Sequence, residues 1–263
     1  MREIPVLLYH NIGYYPEKMM EDGVLPETLE FQMKFFSENN WNIVSLAQAV
    51  DHLTGVQKLP PRSLALTFNG GYRDVMDHVF PVLKKYHLHA TFFIPPETIG
   101  GTRQLYGETI DCMCLDEIRE LRDGGMEIGL LAYNGGSIRN ENYNEPAIRD
   151  SITAELKTMR EELGLDITYC AFKEGVPQPP LWRYLKRKGF KAVFTQCPTN
   201  RRAWIDGIGR IQIDDDDQNI FFTKISKTYL FFKDKRTWKF LRKYKIDRVA
   251  HHISETWNRI KGE

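Results

Sequence analysis

The stretch Ser63-Leu-Ala-Leu-Thr-Phe68-Asn69-Gly70-Gly71-Tyr72 decides the fold. Its first six residues run apolar or small without polar alternation, the pattern of a strand covered on both faces. Two glycines then punctuate the chain. A helix follows from about Asp74 to Tyr86, and Ala90-Thr-Phe-Phe-Ile94 is rich in the aromatic and β-branched residues that suit a strand. Strand, glycine turn, helix and strand in this order make a βαβ unit, which calls for parallel strands and an α/β fold.

The same alternation extends in both directions. Ile4–Tyr9 is a short apolar strand that ends at His10. A helix opening near Thr28 carries Phe31, Met33, Phe35 and Phe36, and Asn39-Asn40 closes it. Ile43-Val44 is a short strand. Ser45 caps a helix whose Leu46, Ala49, Val50 and Leu53 fall on one face. Downstream, Leu115–Asp123 is a helix closed by Gly124-Gly125, Glu127–Leu131 a strand, and Ile148–Leu163 a long helix stopped by Gly164. Cys170–Phe172, Ala192–Thr195 and Gly209–Ile213 are further strands, with a helix over Leu181–Lys188. Residues 1–222 read as one domain of about seven β/α units, near the ~250 residues typical of a β/α barrel.

The net charge of +1 hides a division. Residues 224–263 hold twelve Lys and Arg against four Asp and Glu, a balance of +8, which leaves −7 on residues 1–223. Residues 223–263 are therefore expected to form a basic, aromatic-rich helical extension. Trp238, Leu241, Val249, Ile253, Trp257 and Ile260 recur in it near helical spacing. Such a helix can dock on the barrel, lie on an anionic membrane surface or grip an acidic protein partner. Nucleic acid is disfavoured, because the acidic body repels phosphate. Four cysteines in 263 residues read as reduced, mostly buried thiols. The first ten residues lack the features of a secretory signal, so the chain is expected to be cytoplasmic, or peripheral at the inner face of a membrane.

The order of these pieces resembles the polysaccharide deacetylases, the NodB-like family 4 carbohydrate esterases. The resemblance is carried by Pro5-Val-Leu-Leu-Tyr-His10, Trp41-Asn-Ile-Val-Ser-Leu46, the 64–72 block, Pro81-Val-Leu-Lys-Lys-Tyr86 and Ala90–Ile94. It continues through Gly125-Met-Glu-Ile-Gly129 and Gly189-Phe-Lys-Ala192. It implies a distorted (β/α)7 barrel with substrate at the C-terminal ends of the strands. It also implies removal of acetyl groups from sugars, within cell-surface polysaccharide or lipopolysaccharide metabolism. The family's chemistry uses a divalent metal held by one Asp and two His, a second Asp as base and a late His as acid.

Against that pattern the key residues differ. Active members read Thr-Phe-Asp-Asp-Gly-Tyr where this chain reads Thr67-Phe68-Asn69-Gly70-Gly71-Tyr72. Asn69 stands at the position of the base, and an amide has no useful proton affinity near neutral pH. Gly70 stands where the metal-binding Asp belongs. The two His of a His-x-x-x-His pair correspond to Leu131 and Gly135, and no histidine occurs between His89 and His251. Lys173 and Glu174 replace the Pro and Tyr of a third, aromatic-Pro-Tyr-Gly motif. The expected site therefore has no metal, no other cofactor and no catalytic residue. Its candidate pocket comprises His10, Asn69, Gly70, Tyr72, Leu131, Tyr133, Asn134, Gly135 and Glu174, open to a glycan or a sugar free of nucleotide. Three readings stand: a pseudoenzyme that binds a glycan or a protein, a structural remnant, and a hydrolase with relocated groups. His10, Glu174 and Asp214–Asp217 are the candidates for the last.

Overall fold

The structure, a computed structural model, describes residues 4–132, 138, 144–173, 175, 177–196, 207–215 and 218–226. The chain divides into two compact units, Met1–Asp215 and Asp216–Glu263. Of the second, the described part is the helix Gln218–Ile225, in which Phe221 and Ile225 are buried. The expected basic extension otherwise lies outside the described residues, as does Cys197. Cys112 and Cys170 are free and buried, and Cys114 is free and exposed.

The first unit is a nearly closed barrel of short, parallel strands, as the sequence predicts. The strands of the unit are β1 (Val6–Tyr9), β2 (Asn42–Ile43), β3 (Ser63–Asn69), β4 (Thr91–Ile94), β5 (Thr102–Leu105), β6 (Glu108–Asp111), β7 (Glu127–Leu131), β8 (Tyr169–Phe172), β9 (Ala192–Thr195), β10 (Ile208–Gly209) and β11 (Ile211–Gln212), of which β5 and β6 form a separate antiparallel pair. The helices are α1 (Glu17–Met20), α2 (Pro26–Glu38), α3 (Leu46–Thr54), α4 (Phe80–Lys85), α5 (Leu115–Asp123), α6 (Glu145–Leu163) and α7 (Pro179–Arg187). The sheet runs β10-β9-β8-β7-β4-β3-β1-β11, and β2 pairs with β3.

All seven residues of β3 are buried, so its continuous apolar run reflects cover on both faces. Register then sorts the side chains. Tyr9 pairs with Phe68 and Phe68 with Phe92 across three neighbouring strands. Their rings stack at 4.9 and 5.1 Å, and the Tyr9 hydroxyl donates to Gln32 of α2 at 2.8 Å, so this row faces the outer helix layer. The alternate residues Ala65, Phe93, Leu131, Ala171 and Phe194 share a second cluster with Leu46, Ala49 and Val50 of α3. Ser45 holds the start of α3 in place. Its hydroxyl accepts from the Gln48 amide at 3.2 Å, and the Gln48 side chain accepts from the Ser45 amide at 3.0 Å.

Three differences from the sequence reading matter for the site. The expected strand Gly209–Ile213 is broken at Arg210. β10 pairs with β9 at one sheet edge and β11 with β1 at the other, so this one segment spans the seam of the barrel. The helix expected from Asp74 opens instead with a wider, π-helical turn over Val75–Val79 before α4. A hairpin, β5–β6, interrupts the β/α alternation, with Tyr106 and Gly107 both at positive φ in its two-residue turn. Its base is tied to the loop after β3: the Met113 amide donates to Gly71 O and the Arg73 amide to Asp111 O, both at 2.9 Å.

Candidate functional site

Parallel pairing throughout the main sheet puts the C-terminal ends of its strands at one end of the barrel. His10, Asn69, Leu131, Lys173 and Gln196 lie at or just beyond those ends. Arg210, at the seam between β10 and β11, is the residue that organises them.

The Arg210 side chain is 1% exposed and its guanidinium lies over the Phe93 ring, 5.0 Å from the centroid. Its backbone amide donates to Thr195 O at 2.9 Å, which fixes the segment against β9. Nη1 donates to Asn69 Oδ1 at 2.8 Å and to Thr67 Oγ1 at 3.3 Å. Thr67 in turn donates to Leu7 O at 2.6 Å, so its hydroxyl proton is committed elsewhere. Nε and Nη2 are buried and have no hydrogen-bond partner among the described residues. Burial lowers the Arg210 pKa to about 9, still above neutral pH, so a charged guanidinium sits in the barrel beside an amide.

Asn69 is therefore a hydrogen-bond acceptor held by a cation. Gly70 has φ +115°, a conformation open to glycine, and its amide donates to Phe93 O at 3.1 Å. A Cβ built at Gly70 would lie 2.4 Å from Tyr72 Cε2. The ring of Tyr72 thus fills the room that a longer side chain at 70 needs. Gly129 does the converse for Phe93: a Cβ there would meet the Phe93 ring at 2.6 Å, so this glycine admits the aromatic floor beneath Arg210.

Leu131 is buried among the inward-facing apolar residues. These positions do not fit the divalent cation that the family implies: Gly70 offers no donor and Leu131 is a hydrocarbon. Among the described residues, no group of three or more His, Cys, Asp or Glu could hold a metal ion. Tyr133, Asn134, Gly135 and Glu174 of the expected pocket lie outside the described residues, as do Asp216 and Asp217.

His10 and Gln196 are partly exposed at the strand ends, and the Gln196 amide meets His10 Nε2 at 2.6 Å. The His10 pKa falls to about 4, first by burial and then by the positive charge of Arg210. Lys173 pushes it the same way, while Asp22 and Asp214 oppose. Those two carboxylates are bridged by Gln212 Nε2, at 2.6 and 2.8 Å. At neutral pH His10 is an uncharged imidazole.

Asp74 is the first carboxylate after the glycines. Its Oδ2 accepts from the Ile12 amide at 2.6 Å and from the Tyr15 hydroxyl at 3.1 Å, which ties the loop after β1 to the turn after β3. Oδ1 is buried without a partner, and burial raises the carboxyl pKa to about 7 despite these hydrogen bonds. Sequence reading missed both Arg210 and Asp74. The signal for Arg210 was present, a lone cation inside Ile208-Gly-Arg-Ile-Gln-Ile213.

Comparison with known proteins places this geometry among relatives. Residues 56–193 match the family model described as polysaccharide deacetylase. YxkH of Bacillus subtilis (strain 168), whose name refers to the same family, is 28% identical over 126 residues, 48% of this chain and 41% of that one. A poly-β-1,6-N-acetyl-D-glucosamine N-deacetylase of Escherichia coli (strain K12) is 29% identical over 84 residues, 32% of this chain and 12% of that one. The matched stretches thus span less than half of these relatives' own lengths. Among solved structures, IcaB from Ammonifex degensii superposes with a TM-score of 0.70 at 22% identity, covering 85% of this chain and 97% of that one. That likeness establishes the shared barrel.

Proposed function

We propose, for a chain that belongs to the polysaccharide deacetylase family, that the barrel keeps a glycan-binding mouth and has lost the deacetylation chemistry. The observation that carries this reading is the Tyr72 ring standing in the room of a side chain at Gly70. Without that side chain, and with Leu131 in place of a histidine, the donors for a Lewis-acid metal are missing from their places. Asn69, bound through its oxygen to Arg210, has no lone pair basic enough to take a proton from water. His10 is uncharged at neutral pH and so lacks the proton of a general acid. What remains are polar groups at strand ends, the usual place for a ligand in a β/α barrel.

The ligand class follows from relatives whose names specify poly-β-1,6-N-acetyl-D-glucosamine. Cell-surface polysaccharide metabolism is the corresponding setting. No helix among the described residues is long and apolar enough to cross a membrane. A cytoplasmic location is part of the proposal and rests on the sequence of the first ten residues. The basic stretch 224–263 is proposed as its contact to an anionic membrane face or an acidic protein. Titration calorimetry of the full chain with β-1,6-linked N-acetylglucosamine oligomers tests the ligand. A saturable heat is expected, and a flat trace overturns glycan binding.

A further inference from the structure

Arg210 holds Asn69 through one of its nitrogens and has two further donors. Arg210 enters the barrel at the seam, where its neighbours Gly209 and Ile211 are paired to opposite sheet edges. Backbone pairing on both sides prevents the side chain from swinging out to water. Among the described residues no carboxylate hydrogen-bonds to the guanidinium, whose partners are the neutral oxygens of Asn69 and Thr67. A buried guanidinium that finds only neutral oxygens among the described residues is a costly arrangement in a folded protein.

The two unpartnered donors are Nε and Nη2. They share one edge of the guanidinium and point in parallel, the fork that matches the two oxygens of a carboxylate. Nη1, the donor outside this fork, is the one already engaged by the protein. Phe93 covers one face of the plane and leaves the edge to define the approach. Lys173 adds a second positive charge that acts on the same neighbour, His10. Asp22 and Asp214 also act on His10, and the Gln212 amide holds both. The side chains able to give way are His10 and Gln196, partly exposed and held together by one hydrogen bond.

We propose that the Nε/Nη2 fork of Arg210 is a carboxylate-binding site at the barrel mouth, which takes an acidic group, supplied by a uronic acid sugar or a small free carboxylate, in addition to the neutral sugar of the proposed ligand. The amide at 69 is what makes this possible. A carboxylate there would neutralise Arg210 internally, whereas Asn69 leaves the charge for a ligand. The assignment of the site to a glycan rests on the proposed function; the carboxylate site itself rests on Arg210 alone.

The test uses the full chain with 15N-labelled arginine. Sodium acetate is titrated against sodium chloride at matched ionic strength, then glucuronic-acid-containing oligosaccharides against neutral N-acetylglucosamine oligomers. A saturable shift of one arginine Nε–H resonance and a saturable rise in melting temperature are expected with acetate and absent with chloride. Asn69→Asp, which supplies its own carboxylate to Arg210, should abolish both responses while remaining folded. Arg210→Gln should do the same where it folds. A response to acetate and glucuronate assigns the site to an acidic sugar, and a response to acetate alone to a small carboxylate. No response to either, or an equal response in Asn69→Asp, overturns the proposal. Binding of neutral oligomers without any carboxylate effect would sink this inference and leave the proposed function standing. Acetate release from those oligomers would sink the proposed function instead.

Discussion

Asn69→Asp is the substitution whose outcome the structure specifies most fully. Asn69 Oδ1 accepts from Arg210 Nη1 at 2.8 Å, and a carboxylate has nearly the same shape. The change therefore alters charge with little change in volume. Burial brings the Arg210 pKa to about 9, a fall that corresponds to roughly 5 kcal/mol against the charged form. A carboxylate recovers only part of this, because it is desolvated as well. The present bond is charge-assisted through its donor alone, and giving the guanidinium a charged acceptor as well leaves a net gain of about 1–2 kcal/mol. For a domain of this size that is a rise of ~2–8 °C in melting temperature. Differential scanning calorimetry at pH 7 in a buffer free of carboxylates measures it. A melting temperature equal to or below that of the parent, with an unchanged heat of unfolding, would refute the premise that Arg210 lacks a counter-charge. The variant should still release no acetate, because Gly70 and Leu131 are unchanged.

The remaining predictions concern the same mouth and its supports. Gly129→Ala drives a methyl into the Phe93 ring at 2.6 Å and should cost ~1–3 kcal/mol of stability by urea unfolding; a neutral result would mean that the ring moves freely. Gly70→Asp combines positive φ with the Tyr72 contact and should cost ~2 kcal/mol or more without creating a zinc site, as zinc titration of the purified variant would report. Asp74 and His10 give opposite pH dependences. Asp74, raised from 3.8 to about 7, contributes stability that is present below pH 3.8 and lost as pH rises through 7, with a ceiling of about 4 kcal/mol. His10, lowered from 6.5 to about 4, contributes stability that is present above pH 6.5 and lost as pH falls through 4, with a ceiling of about 3 kcal/mol. The parent should thus vary little between pH 4.5 and 6.5, by roughly 1 kcal/mol. Asp74→Asn should uncover a stability that rises with pH over that range, and an unchanged profile in urea titrations would contradict the assignment.

The barrel was legible because its signals are local. Continuous apolar runs at 64–68 and 90–94, the Ser45 cap and the Gly164 stop each fix an element from a few neighbouring residues. The seam was not legible. Gly209–Ile213 reads as one strand in sequence, but the segment Ile208–Gln212 pairs through its two halves with strands about 15 and 200 residues away, and only that long-range pairing turns Arg210 inward. The β5–β6 hairpin was missed although Tyr106-Gly107 sits between two strand-like runs. Its mostly polar strands pair with each other outside the barrel sheet and give no core periodicity. At the site, the chemistry of Asn69 and Gly70 was readable from residue type alone. What fills the space beside Gly70, and which charge holds Asn69, required the fold.

Acetate release tests directly whether the 67–72 block can carry metal-dependent deacetylation. The full chain, loaded with Zn²⁺ or Co²⁺, is incubated with β-1,6-linked N-acetylglucosamine oligomers and the acetate is quantified over hours. Release indistinguishable from a heat-killed control is expected. Sustained release well above that control, abolished by a chelator, would contradict that expectation.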